Sequence, residues 1–141
     1  MPDSGALDTA VLTVLQDDAT LKGYMPDGVF FDAAPPGAKR FVLLSIFDAL
    51  DTDVFGGRAI ESINYAVRAV GLSTLSPDMK AAAARIDALL SDPPSIAVAG
   101  FTFMTCYRDE PGRIRYTQVD AVDAALRWYH RGGHYRIECS R

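Results

Sequence analysis

The sequence predicts an α+β fold: a single-layer antiparallel or mixed sheet of about four to six strands, packed by two helices and ending in a C-terminal β-hairpin. Three observations predict it. Several segments alternate apolar and polar residues at period two, and two others carry apolar stripes at helical spacing between recognisable caps. Near the C-terminus, Gly132-Gly133 separates two strand-like segments. At 141 residues the chain is one domain by length and can bury roughly two-thirds of its unfolded surface. Such a core needs neither metal nor disulfides.

The first helix is expected from about Ser4 to Lys22, with Asp3 or Ser4 as N-cap and Asp8 near its start. Leu7, Val11, Val14, Leu15 and Ala19 form its apolar stripe. Asp8, Thr13, Gln16 and Asp17 form its polar face, and Gly23 is its stop. Pro26-Asp27-Gly28 has turn chemistry. Val29 to Phe31 is a short edge strand. Ala33 to Ala38 is an extended surface connection, because Pro35 and Pro36 fix φ and lack backbone donors.

From Arg40 to Phe47 both alternating sets are apolar, Phe41, Leu43 and Phe47 against Val42, Leu44 and Ile46, so this strand is covered on both sides. One cover is the helical layer; the other is either more of the same chain or a neighbouring subunit. Asp48 to Arg58 is too long for a tight hairpin and reads as a solvated acidic loop in which Gly56-Gly57 permits positive φ. Its carboxylates, Asp48, Asp51 and Asp53, lack the glycine and glutamate spacing of a calcium loop. Phe55, an aromatic at a loop tip, needs something to bury it. The next strand, Ala59 to Gly71, pairs antiparallel with the first. Ile63, Tyr65, Val67 and Ala69 face the core, and Ser62, Asn64, Ala66 and Arg68 face solvent or a partner.

The second helix has Ser76 as N-cap, Pro77 at its first position and Asp78 in its first turn. Its stripe is Met79, Ala83, Ile86 and Leu90, widened by Ala82 and Leu89, and Pro93-Pro94 ends it near Ser91. Strands at Phe101 to Arg108 and Arg113 to Gln118 flank a turn at Asp109 to Gly112, and Asp120 to Ala125 is a loop. A two-residue turn at Gly132-Gly133 would pair Arg127 with Glu138 and Tyr129 with Arg136. It would also send His130 and His134 to opposite faces, which argues against a shared metal.

The net charge of -4 argues against a general nucleic-acid binder. The apolar runs, such as Phe41 to Leu44 and Ile96 to Ala99, are far short of the roughly 20 residues a membrane span needs. The first residues lack the basic and apolar segments of a signal peptide. Arg108, Arg113, Arg115, Arg127, Arg131, Arg136 and Arg141 crowd the last third while most Asp and Glu precede them, which suits head-to-tail self-association. Cys106 and Cys139 read as reduced, buried thiols. A small enzyme using Cys106 or His130 is the alternative, but neither has an evident base, orienter or oxyanion site. No catalytic, cofactor or metal site is expected.

Six segments carry a resemblance: Val29-Phe-Phe-Asp32 before Ala34-Pro35, Asp53-Val-Phe-Gly-Gly-Arg58, Tyr65-Ala-Val-Arg-Ala-Val-Gly71, Ala84-Arg-Ile-Asp-Ala-Leu-Leu90, Arg113-Ile-Arg-Tyr116 and His130-Arg-Gly-Gly-His-Tyr-Arg136. In that order, over about Leu7 to Ile137, they resemble the tail terminator (tail completion) family of long-tailed bacteriophages, in the form common among phages of actinobacteria. The resemblance implies a structural virion protein whose subunits form a hexameric ring on the head-proximal end of the tail tube, stopping its polymerisation and preparing head-tail joining. It implies other copies, the major tail tube protein and a neck or head-tail connector protein as partners, with no membrane, no cofactor and no sequence-specific nucleic acid, DNA being free to pass through the ring. The implied location is the virion, after assembly in the host cytoplasm. A neck connector is the near alternative. The family offers no reactive residues to transfer; the residues expected at an interface with another copy or the tube are Asp51, Asp53, Phe55, Gly56, Gly57, Arg58, Arg131 and Arg136.

Overall fold

A computed structural model describes residues 4–54, 57–72, 77–91, 96, 98, 100 and 102–140. Five strands form one mixed sheet in the order β1-β2-β3-β5-β4, and the helices pack on one of its faces. The elements are α1 (Ser4–Asp17), α2 (Ala19–Tyr24), β1 (Val29–Phe31), β2 (Arg40–Val54), β3 (Gly57–Leu72), α3 (Pro77–Leu90), β4 (Thr102–Val119) and β5 (Arg127–Ser140). The sequence pattern implies one N-terminal helix where the structure has two.

The break is at Asp18. Its backbone is extended, and its carboxylate accepts the Leu21 N–H at 2.9 Å, capping α2. The same carboxylate accepts two hydrogen bonds from the Arg85 guanidinium on α3, at 2.8 and 2.6 Å. Leu7, Val11 and Leu15 keep the α1 stripe buried, but the phase resets at Asp18, so Ala19 is exposed and Leu21 takes the core position. Gly23 consequently lies inside α2, whose end is closed by the Met25 N–H bonding to the Leu21 carbonyl. Asp8 is not simply a polar-face residue, since it accepts the Tyr65 hydroxyl at 2.6 Å.

β1 runs parallel to β2, Val29 opposite Val42 and Phe31 opposite Leu44. The Asp27 carboxylate accepts the N–H groups of both Lys39 and Arg40 at 2.8 Å, which fixes the two ends of the Pro-rich connection.

β2 and β3 form a long antiparallel hairpin that overturns the acidic loop. Pairing continues through Asp51 opposite Glu61 and Asp53 opposite Arg58 to Val54 opposite Gly57, with irregularities near Phe47 and Ala59. The pairing of the flanking backbones outweighs the weak strand preference of Asp. Phe55 and Gly56 lie outside the described residues, and Gly57 and Arg58 open β3 as extended residues. Ile63, Tyr65, Val67 and Ala69 face the helices as expected.

The opposite face of β3 is not left to solvent or a partner: Ser62, Asn64, Ala66 and Val70 are all buried. Large side chains of the flanking strands overhang these small residues. Phe47 stacks with His134, their centroids 4.5 Å apart, Phe41 meets Trp128 at 6.1 Å, and Arg136 donates to the Ser62 hydroxyl at 2.8 Å.

α3 forms where expected and buries Met79, Ala82, Ile86 and Leu90, with Ala82 in place of the expected Ala83, which is only half-buried; Ser76 and Pro93-Pro94 lie outside the described residues. Two turns are absent. Residues 109–112 remain within β4 as an irregularity opposite His134, because Arg108 pairs with Tyr135 and Arg113 with Gly133. Gly132-Gly133 is also interior to a strand, and the C-terminal hairpin is β4–β5, joined by the loop at 120–126. That loop was expected, and Asp120 organises it, accepting the N–H groups of Val122 and Asp123 and the Trp128 indole at 2.9 to 3.1 Å.

Gly132 is needed for close approach, not reversal. A Cβ there would lie 2.0 Å from the Val67 carbonyl oxygen and 2.6 Å from the Arg68 Cα. The expected pairs Arg127–Glu138 and Tyr129–Arg136 therefore do not form, since both members of each lie along one strand.

Two expectations follow. Gly132→Ala should fail to fold or lose several kcal/mol, on the order of 3, whereas Gly23→Ala, whose Cβ meets nothing within 4 Å, should gain about 0.5–1 kcal/mol in thermal or urea unfolding. Asp18→Ala should cost about 1–2 kcal/mol through the lost cap. Arg85 holds the Asp18 carboxyl below its ordinary 3.8, so the contribution is complete above that pH and disappears as pH falls through the lower folded value. The variant's stability should be correspondingly flatter in acid.

Candidate functional site

Of the eight residues expected at an interface, the six whose backbone is described do not lie together. Asp51, Asp53, Gly57 and Arg58 stand together at the far end of the β2–β3 hairpin, and Phe55 and Gly56 fall outside the described residues. Arg131 and Arg136 are both on β5, but on opposite faces: Arg136 is bonded to Ser62 on the open face, and Arg131 lies level with Ala69 on the helix face.

Arg131 belongs to a groove of 410 Å³ between α3 and the β4–β5 hairpin. Lys80, Arg108, Arg113 and Arg115 share the lining, with Asp87 as its carboxylate. Asp87 is engaged by the Tyr135 hydroxyl at 3.1 Å and by Arg108 at 3.3 Å. Burial pushes the Tyr135 hydroxyl pKa up, and the neighbouring Asp87 charge adds to this. Arg115 stands directly opposite Arg131 in the sheet. The groove was not readable from sequence as a site, because it joins residues of one helix to those of two strands distant in the chain. Its trace was the Arg-x-Arg alternation at Arg113 and Arg115, which puts both side chains on one face.

The residues considered for catalysis are held in other roles. The Cys106 thiol donates to the Leu90 carbonyl, and burial raises its pKa to about 12, so it carries no thiolate near neutrality. Cys139 is buried in the core. His130 Nε2 is 3.0 Å from Gln118 Oε1, and its ring stacks on Tyr116 with centroids 4.2 Å apart. Burial, aided by the nearby Arg68 charge, lowers its pKa to about 4. His130 and His134 share the open face, contrary to the opposite-face expectation, because β5 does not turn between them. Four residues of strand still separate them by about 13 Å, and they stack on different rings. Among the described residues no three His, Cys, Asp or Glu side chains cluster as metal ligands would.

No protein-family model matches the chain, and no curated protein matches it significantly. Solved structures do. One is a chain from the virion of a native gene transfer agent particle, 22% identical with a TM-score of 0.66, the match covering 96% of each chain. Another is 16% identical with a TM-score of 0.57, over 97% of this chain and 96% of the other. At such identities the likeness is one of fold, extending over nearly the whole chain in both cases.

In the native protein neither thiol should react with a soluble disulfide reagent at pH 8, and both should react after unfolding, as counted by absorbance. His130 should titrate near pH 4 by NMR. Because the unfolded histidine takes up its proton first, near 6.5, stability should decline as pH falls from about 6.5 toward about 4.

Proposed function

We propose that this protein is a structural component of a phage-like virion, one 141-residue domain that forms a closed ring on the head-proximal end of the tail tube. There it stops tube growth and presents a surface for head joining. The observation that carries the proposal is the shared fold with a chain of the gene transfer agent virion, in which 96% of both chains takes part. The segments that resemble tail terminators support a role at the end of the tail. Copies of itself, the tube protein and a neck or connector protein are its partners, and a hexamer is the expected ring.

Ring formation needs unlike surfaces on one subunit, not an active site. Its sequence runs Asp48, Asp51, Asp53 and Glu61 through the β2–β3 hairpin, and a basic groove lies beside α3. It also offers an outer edge along β4, which is the last strand of the sheet on that side. The occupied states of Cys106 and His130 favour this reading over catalysis.

Electron microscopy of the purified protein, alone and with tail tubes, tests the role. Closed rings, and tubes capped at the head-proximal end, are expected. A protein that stays monomeric and leaves tube ends bare would sink the proposal, and binding confined to the portal side would make it a neck connector.

A further inference from the structure

β4 is the last strand of the sheet on its side, so the outward N–H and C=O groups over residues 113–119 have no strand to pair with among the described residues. Arg113, Arg115, Tyr116, Thr117, Gln118 and Val119 are all exposed, which leaves this stretch open to solvent. Alternation sorts its side chains. Arg113, Arg115 and Thr117 stand on the helix face, and Ile114 and Tyr116 stand on the open face. The edge is therefore cationic on one side and apolar on the other.

The cationic side continues inward. Arg115 stands directly opposite Arg131, an arrangement that destabilises a sheet unless negative charge lies close by. Lys80 lines the same 410 Å³ groove from α3, and a further 270 Å³ opens past the two arginines toward Thr117 and Tyr129. Asp87, the carboxylate of the groove lining, is already engaged by the Tyr135 hydroxyl and by Arg108. Among the described residues no side chain pairs with Lys80, Arg115 or Arg131.

We propose that the β4 edge takes up an extended segment of a partner protein, with Asp or Glu at alternate positions meeting Arg115, Arg131 and Lys80 and the intervening apolar residues lying beside Ile114 and Tyr116. The occupant is a peptide because a strand edge presents donors and acceptors in turn: another backbone satisfies both, whereas phosphate oxygens can only accept. It is not the β4 edge of a second copy, since antiparallel pairing of two such edges would set arginine against arginine. The charges that turn away a second copy thus admit an acidic strand. A strand added about 4.8 Å outside β4 would extend the sheet and bring its carboxylates to the mouth of the groove. This contact goes beyond the ring reading and does not depend on it.

Fluorescence anisotropy tests it with a labelled peptide of about seven residues that alternates Glu and Val, set against a counterpart that alternates Lys and Val. The Glu peptide should bind and the Lys peptide should not, at concentrations up to about 1 mM. Arg115→Glu should weaken the Glu peptide about tenfold or more and admit the Lys peptide. It should melt no lower than the parent, because it sets opposite charges at the Arg131 position. Amide methylation of every Glu, or of every Val, should abolish binding in one case only, since alternate residues aim their N–H groups at opposite edges of a strand. Equal binding of the two peptides, no binding of the Glu peptide, or an unchanged affinity in Arg115→Glu would overturn the proposal. Indifference to both methylations would reduce the contact to charge attraction and overturn strand addition. Displacement of the Glu peptide by a tighter-binding duplex oligonucleotide would give the groove to nucleic acid and overturn it too. None of these outcomes bears on ring formation.

Discussion

The architecture depends on how closely β5 lies against β3. Gly132 is the point of closest approach, where no Cβ stands between the strand and the Val67 carbonyl. With β5 in that place, Tyr135, Ile137 and Cys139 continue the apolar surface begun by Tyr65 and Ile63, and α3 can cover both strands. The same approach lets the outer face of β3 be closed by overhanging side chains, although none of the described helices lies there. Small residues in the central strand and large ones beside it make a second, thin layer, in which Phe47, His134, Trp128 and Arg136 do the covering.

This arrangement explains a chain so apolar in its first long strand. Val42 and Leu44 are buried under the helices and Phe41 beneath the open-face aromatics, and among the apolar side chains described in this strand only Phe47 and Ile46 remain substantially exposed, at 63% and 42%. Both faces are thus largely accounted for by one chain.

Much of this was legible in the sequence wherever the signal was local. The opening proline of α3, most of its stripe, the three residues of β1 and the Asp120 loop each follow from residues close in the chain. Legibility failed where one residue type serves two purposes. Gly132-Gly133 suits a tight turn and also a close strand crossing, and only the Val67 backbone decides between them. Asp18 could be an ordinary polar helix residue; it becomes a cap because Arg85, far along the sequence, holds its carboxylate. Asp48 to Asp53 has the composition of a loop, yet continuous backbone pairing draws it into the sheet. The groove beside α3 was hidden for the same reason, being made by packing distant segments together.

The strand order carries a consequence for how the chain acquires its shape. β5 follows the other four strands in sequence but lies inside the sheet, between β3 and β4. As the chain leaves the ribosome, β1 to β3 and the helices can gather first, but the inner edge of β3 stays open until β5 arrives, and β4 has no other strand to pair with before then. The closure made by β5 thus completes the core instead of merely extending it. Until that moment the nascent chain exposes an unpaired strand edge, the kind of surface that chaperones shield and that neighbouring nascent chains can mistake for their own.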